Sequence, residues 1–164
     1  MTLMSRAGLV SIVLTLVCGW AAQVSGQTPT SGFSSVINAL RQAPGCLGVE
    51  TGQTSSGRRV IFAWFEGKRA LVEWYHGDVH QRAMRRLYPD VPIDREPLPD
   101  LSENSGPILA IVSVKLDPTS SAIASIGIEL YGPLPGGVAV GGRFAPSALK
   151  VPGLREIPLS GVGH

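Results

Sequence analysis

Charge is what this sequence has least of. Asp, Glu, Lys and Arg make up 16% of its 164 residues and hydrophobic residues 44%, whereas an average soluble domain carries roughly 25% charged residues. A chain so apolar and so weakly charged is not disordered. Its net charge of +2 is too small to steer it to nucleic acid or to a membrane surface. Cysteine is scarce as well, with only Cys18 and Cys46. Cys18 belongs to an N-terminal leader, and the thiol left over closes no internal disulfide, which excludes a disulfide-stapled mini-domain. Cys46, beside Leu47 and Val49, reads as a small buried hydrophobe with no neighbouring base to make it a nucleophile.

Long apolar runs are missing too. The longest, from Ala7 to Val17, follows the single early charge Arg6 and precedes small and polar residues. It is too short to span a bilayer comfortably, and the order is that of a secretory signal peptide. Residues 1–26 are expected to be cleaved before Gln27, which makes the product secreted or periplasmic, with an uncleaved anchor as the alternative. No other membrane contact is expected. Cleavage removes one base, Arg6, and leaves a net charge of +1.

What remains is long enough for one core. Its 20 Gly and 13 Pro, crowded into the second half, favour strands and loops there. Phe33, Val36, Ile37 and Leu40 recur at helical spacing after Ser31, and Pro44-Gly45 stops that helix. Residues 46–51 read as a strand, 52–57 as a hairpin loop and 60–65 as a second strand. That second strand is apolar throughout, so both of its faces should be buried, one under helices and the other under something else, such as another subunit.

Residues 67–88 are the most informative. Ala70, Leu71, Trp74 and Tyr75 share one helix face, but after Gly77 the apolar face moves to Val79, Ala83, Met84, Leu87 and Tyr88. Leu71 and Leu87 differ in phase by roughly 160° on an unbroken helix, so the helix must break near Gly77-Asp78. The break puts His76 on the polar face and His80 on the apolar one, which argues against a two-histidine metal site. Arg82, Arg85 and Arg86 form a solvated face. An inward His80 needs a hydrogen-bond partner, and it is either a structural residue or a pocket residue that bonds or deprotonates a ligand.

Residues 89–106, with four prolines, read as a long loop, either a lid or a surface crossing. Ile108 to Leu116 and Ile123 to Tyr131 read as strands joined at Asp117-Pro118-Thr119-Ser120. Residues 132–164 carry short strands at 138–140 and 154–159. Their Gly-Gly pairs lack the helix and Lys of a phosphate loop.

The segments PGCLGVETG, VIFAWFEGKRALVEWYHGDVHQRAM and ILAIVSVKL, over about residues 33–116, resemble the antibiotic biosynthesis monooxygenase-like family of dimeric α+β barrels. The resemblance implies an α+β, ferredoxin-like antiparallel sheet with two helices on one face, over residues 27–131, followed by a C-terminal extension at 132–164. The open sheet face would pack on a second copy, making a homodimer. Family members begin with a strand before the first helix. Here the leader and a polar tail hold that position, and Ile123–Tyr131 is expected to fill the vacant slot in the sheet.

Some relatives degrade haem, and Trp74-x3-Asp78 is similar to their active-site segment. Their iron-binding His, ten residues after that Trp, is Met84 here, which argues against haem and leaves no cofactor expected. His80 matches a histidine frequent in the non-haem members. The resemblance therefore implies a cofactor-independent monooxygenase acting on a small aromatic compound, with His80 as catalytic base and Trp74, Tyr75, Met84, Phe62 and Trp64 lining the pocket. No second polar partner for His80 is evident. Non-catalytic binding of a small hydrophobic ligand in the cell envelope, or a pure dimerisation scaffold, stands beside that reading.

Overall fold

The computed structural model describes residues 29–90, 92, 97–120 and 122–159. The expected signal peptide and its cleavage site lie outside them. None of the helices described is long and apolar enough to cross a membrane.

The described residues form an α+β fold with a four-stranded antiparallel sheet and three helices. In order it runs α1 (Pro29–Arg41), β1 (Cys46–Gln53), β2 (Arg59–Phe65), α2 (Lys68–His76), α3 (Asp78–Leu87), β3 (Ile108–Leu116) and β4 (Ile123–Tyr131). Two short strands follow, β5 (Val138–Val140) and β6 (Arg155–Ile157), which pair with each other in parallel. Helix α1 ends at Arg41, three residues ahead of the expected stop at Pro44-Gly45, where Gly45 takes φ +69°. The phase break is real: α2 stops at His76, Gly77 takes an extended conformation (φ −62°, ψ 142°), and α3 starts at Asp78.

Strand β2 is central to the fold and, as its composition demands, buried on both faces. Val60, Ile61, Ala63, Trp64 and Phe65 are all buried. Because side chains alternate along a strand, Ile61, Ala63 and Phe65 turn to the helices. There they pack with Val49 of β1, Ile108 and Ala110 of β3, Leu40 of α1 and Leu71 of α2. Val60, Phe62 and Trp64 turn to the helix-free face.

The strand order is β1-β2-β3-β4, and this corrects one expectation. Ile123–Tyr131 does not lie beside β2. Ile108–Leu116 does, pairing Phe62 with Ile111 and Phe65 with Ile108, while Ile123–Tyr131 forms the outer edge beyond it. The reason is where the helical excursion ends. A Cβ built on Gly106 would stand 2.2 Å from the Glu66 carbonyl oxygen and 2.5 Å from Gly67 Cα, so the chain re-enters the sheet at the point where it left. Only glycine permits that approach, and β3 is thereby started against β2. Its hairpin partner β4 must then take the outside. Asp117 closes that hairpin, its carboxylate accepting from the Thr119 hydroxyl (2.5 Å) and from the backbone N–H groups of Ser120 (2.9 Å) and Thr119 (2.8 Å). Together these hold it well below the usual carboxylate range, the hydroxyl most of all.

The described end of the 89–106 loop is a fixed surface crossing. Lys68, the first residue of α2, is the buried charged residue of the described chain, at 3% exposure. Its N–H donates to the Ser105 carbonyl (2.8 Å). Its ammonium donates to the Leu101 carbonyl (2.9 Å) and pairs with Glu103 (2.6 Å). Replacing Lys68 by Ala leaves the part-buried Leu101 carbonyl without its ammonium donor but leaves Glu103 exposed to water, so the cost should be roughly 1–3 kcal/mol. Urea denaturation of Lys68→Ala checks this, and an unchanged midpoint would show that the loop is not held by the ammonium.

Candidate functional site

The residues singled out in the sequence separate into two groups on opposite faces of the sheet. Trp74, Tyr75 and His80 come together on the helix side. The His80 ring centroid lies 5.1 Å from that of Tyr75 and 5.8 Å from that of Trp74, and Trp74 packs against the helix-side core. Met84 is half-buried one turn further along α3. Phe62 and Trp64 do not join this group. They are even-numbered positions of β2, and the pleat sends them to the other side, away from Phe65 and the helices.

The break at Gly77 explains what His80 does. Ending α2 leaves carbonyls without intrahelical partners, and that of Tyr75 is met from α3: His80 Nδ1 lies 2.8 Å away, and Gln81 Nε2 donates to the same oxygen at 2.8 Å. In the tautomer this geometry requires, Nδ1–H donates and Nε2 keeps its lone pair. Burial lowers the imidazole's affinity for a proton. The Tyr75 hydrogen bond opposes that shift, and His76 adds to it. His80 is thus a neutral, partly buried helix cap. His76 itself is exposed, and the described residues contain no cluster of His, Cys, Asp and Glu able to hold a metal. Cys46 is half-buried against the core, and burial pushes its thiol pKa up, the opposite of what a nucleophile needs.

The second group is larger than the sequence suggested. Phe62 and Trp64 lie near-parallel, their centroids 6.3 Å apart. Phe144 stands edge-on to both, at 4.9 Å and 88° to Phe62 and at 5.3 Å and 70° to Trp64. Beside them a cavity of about 90 Å³ is lined chiefly by Trp64, Ile108, Leu109, Tyr131 and Leu149. Trp64 and Leu149 are buried, but Phe144 is 60% exposed, so the third ring lies open to water over an apolar floor.

Arg143 builds this cover. Its Nη2 donates to the carbonyls of Pro146 (2.9 Å), Ser147 (2.9 Å) and Leu149 (2.8 Å), and Nη1 lies 3.4 Å from a Glu156 carboxylate oxygen. One guanidinium thereby folds residues 143–149 into a compact strap. Its Pro146 rests on Gly48, where a Cβ would stand 2.8 Å from the proline ring. Neither Arg143 nor Phe144 was singled out in the sequence. The available signal was that Phe144 is the sole aromatic residue between positions 132 and 164.

Compared with known proteins, the chain matches no family model, no curated protein and no solved structure.

Two measurements test these roles. An imidazole held neutral by burial makes the native state bind fewer protons than the unfolded chain just below the ordinary histidine value of about 6.5. Stability should therefore fall as pH drops from 7 toward 5. His80→Asn keeps a donor for the Tyr75 carbonyl and should flatten that fall; equal slopes in both proteins would remove the assignment. Arg143→Lys cannot reproduce the fork, and it should lower stability by about 1.5–3 kcal/mol and expose residues 143–149 to limited proteolysis. An intact, wild-type cleavage pattern would mean that the strap holds without the guanidinium.

Proposed function

We propose that this chain is an exported ferredoxin-like protein, akin to the antibiotic biosynthesis monooxygenase-like family, that binds a small apolar or aromatic molecule against the aromatic floor of its sheet without turning it over. The observation that carries the reading is the layer of Phe62 and Trp64 beneath the exposed ring of Phe144, which shares Trp64 with the neighbouring cavity. Aromatic faces and edges recognise a flat apolar ligand. Of the residues around that cavity, only Tyr131 carries an ionisable group, and its hydroxyl is bonded to Glu129. A general base is therefore lacking in its lining, which favours binding over catalysis.

The sheet supports the ferredoxin-like part of the reading. Under this reading β3 takes the place of the family's first strand and β4 that of its last, with different connections. Export rests on the Arg6 and apolar-run pattern of residues 1–26.

A second reading keeps the family's chemistry. His80, neutral and with Nε2 uncommitted between Trp74 and Tyr75, would act as base in a cofactor-independent oxygenation of a small aromatic compound. Single-indole variants separate the two. Trp20→Phe/Trp74→Phe leaves Trp64 as reporter, and Trp20→Phe/Trp64→Phe leaves Trp74. Titration with naphthalene should change the emission of Trp64 saturably, and Phe144→Ala should weaken binding by about tenfold. A response confined to Trp74 would move the ligand to His80, and silence from both reporters would reject both readings.

A further inference from the structure

Among the described residues, the outer strand β4 is a nine-residue sheet edge that pairs with β3 alone. Exposed edges normally carry lysine, proline or a bulge to prevent pairing with another chain. Ile123–Tyr131 has no lysine, arginine or proline, and its one irregularity lies at its start. Helices α1 and α2 pack over β1 and β2, and on that side Ile128 is left 50% exposed.

The other side of β4 is charged asymmetrically about its middle, Gly127. Toward the start, Arg58 Nη1 donates to Ser125 Oγ at 3.1 Å, and Lys115 is the cross-strand neighbour of Ser125. Toward the end stands Glu129. Among the described residues, the ion pairs are Lys68–Glu103, Arg82–Asp78 and Arg143–Glu156, none of which uses these three groups.

We propose that β4 pairs antiparallel with β4 of a second copy of this chain, about a twofold axis through Gly127, joining two four-stranded sheets into one of eight strands. In that register Glu129 stands opposite the partner's Ser125 and reaches the partner's Arg58. The symmetry makes the contact twice. Ile128 stands opposite the partner's Ile126, which covers its exposed surface with a β-branched neighbour. Gly127 meets itself, and two glycines on the axis bring no side chains into collision. Shifting the axis to Ile126 or Ile128 would put Glu129 opposite Ile123 or Gly127 and forfeit the charge match. The pairing is isologous, so it closes at two copies and uses the edge up. It does not rest on the ligand reading, although the two share β4: Tyr131, which donates to Glu129, lines the cavity beside Trp64.

Sedimentation velocity on the purified protein tests it. The wild type should be a dimer. Glu129→Lys and Arg58→Glu each set like charges across the join and should weaken association by about tenfold or more, and the double variant should restore it. A monomer at every concentration, a dimer indifferent to the single changes, or a loss that the double variant does not repair would each overturn the proposal. Should a single variant fail to fold, Gly127→Cys replaces it. Residues facing each other across an antiparallel pair lie about 4.5–5.5 Å apart at Cα, within disulfide range. A Cβ at Gly127 approaches Ser113 Oγ at 3.2 Å and touches nothing else within 4 Å. A disulfide-linked dimer on a non-reducing gel is expected, and its absence would reject the register.

Discussion

A strand that is apolar at every position from Val60 to Phe65 cannot be left with either face in water. Each large side chain fully buried there is worth about 1.5–3 kcal/mol, and the rest of the molecule follows from the need to cover two faces with one chain. On the side of Ile61, Ala63 and Phe65 the cover is helical, through Leu40 and Leu71. On the side of Val60, Phe62 and Trp64 no helix among the described residues packs, and a loop serves. A loop covers a sheet only if its own backbone groups are satisfied. Arg143 makes that feasible by taking up three carbonyls at once.

The two covers differ in how they hold their aromatic residues, and the proposed function rests on that difference. Beneath the helices the packing is contributed by several elements, and Phe65 is 1% exposed. Beneath the strap, a single ring spans the gap between Phe62 and solvent. A site that must admit a ligand needs one such thinly covered place, because local opening requires few contacts to be lost. The helix-side histidine, by contrast, is spent on the Tyr75 carbonyl left over when α2 ends. The same glycine that lets the helix turn toward the core creates the unpaired carbonyl that His80 then fills.

Much of this was legible in the residues themselves. The double burial of β2, the helix break at Gly77 and the strand at Val138–Val140 are all consequences of local pattern, and the structure has them where the pattern puts them. The inward placement of His80 was legible on the same grounds. Its grouping with Phe62 and Trp64 was not sound, because alternation along β2 already assigns those two to the face opposite Phe65. Strand order was beyond local pattern, since it depends on Gly106 meeting Gly67 across 39 positions of sequence. So was the strap: nothing within a few residues of Arg143 announces that a guanidinium will gather carbonyls from Pro146, Ser147 and Leu149.

The closeness of Gly67 and Gly106 has a further effect on the edge strands. Because the excursion returns to its origin, β3 stands in the middle of the sheet and the hairpin at Asp117 carries β4 outward. An edge is thereby created in a region with neither helix nor strap above Ile128. Had β4 been inserted beside β2, the lysine-bearing strand β3 would have formed the edge, and Lys115 would have discouraged pairing. The order adopted instead leaves β4 outermost, and, like β1 at the opposite edge, it carries no basic residue. The same connection that fixes the core therefore also decides which strand is left at this edge, and in the proposed pairing a charge match between Glu129 and the partner's Arg58 is what selects a single register.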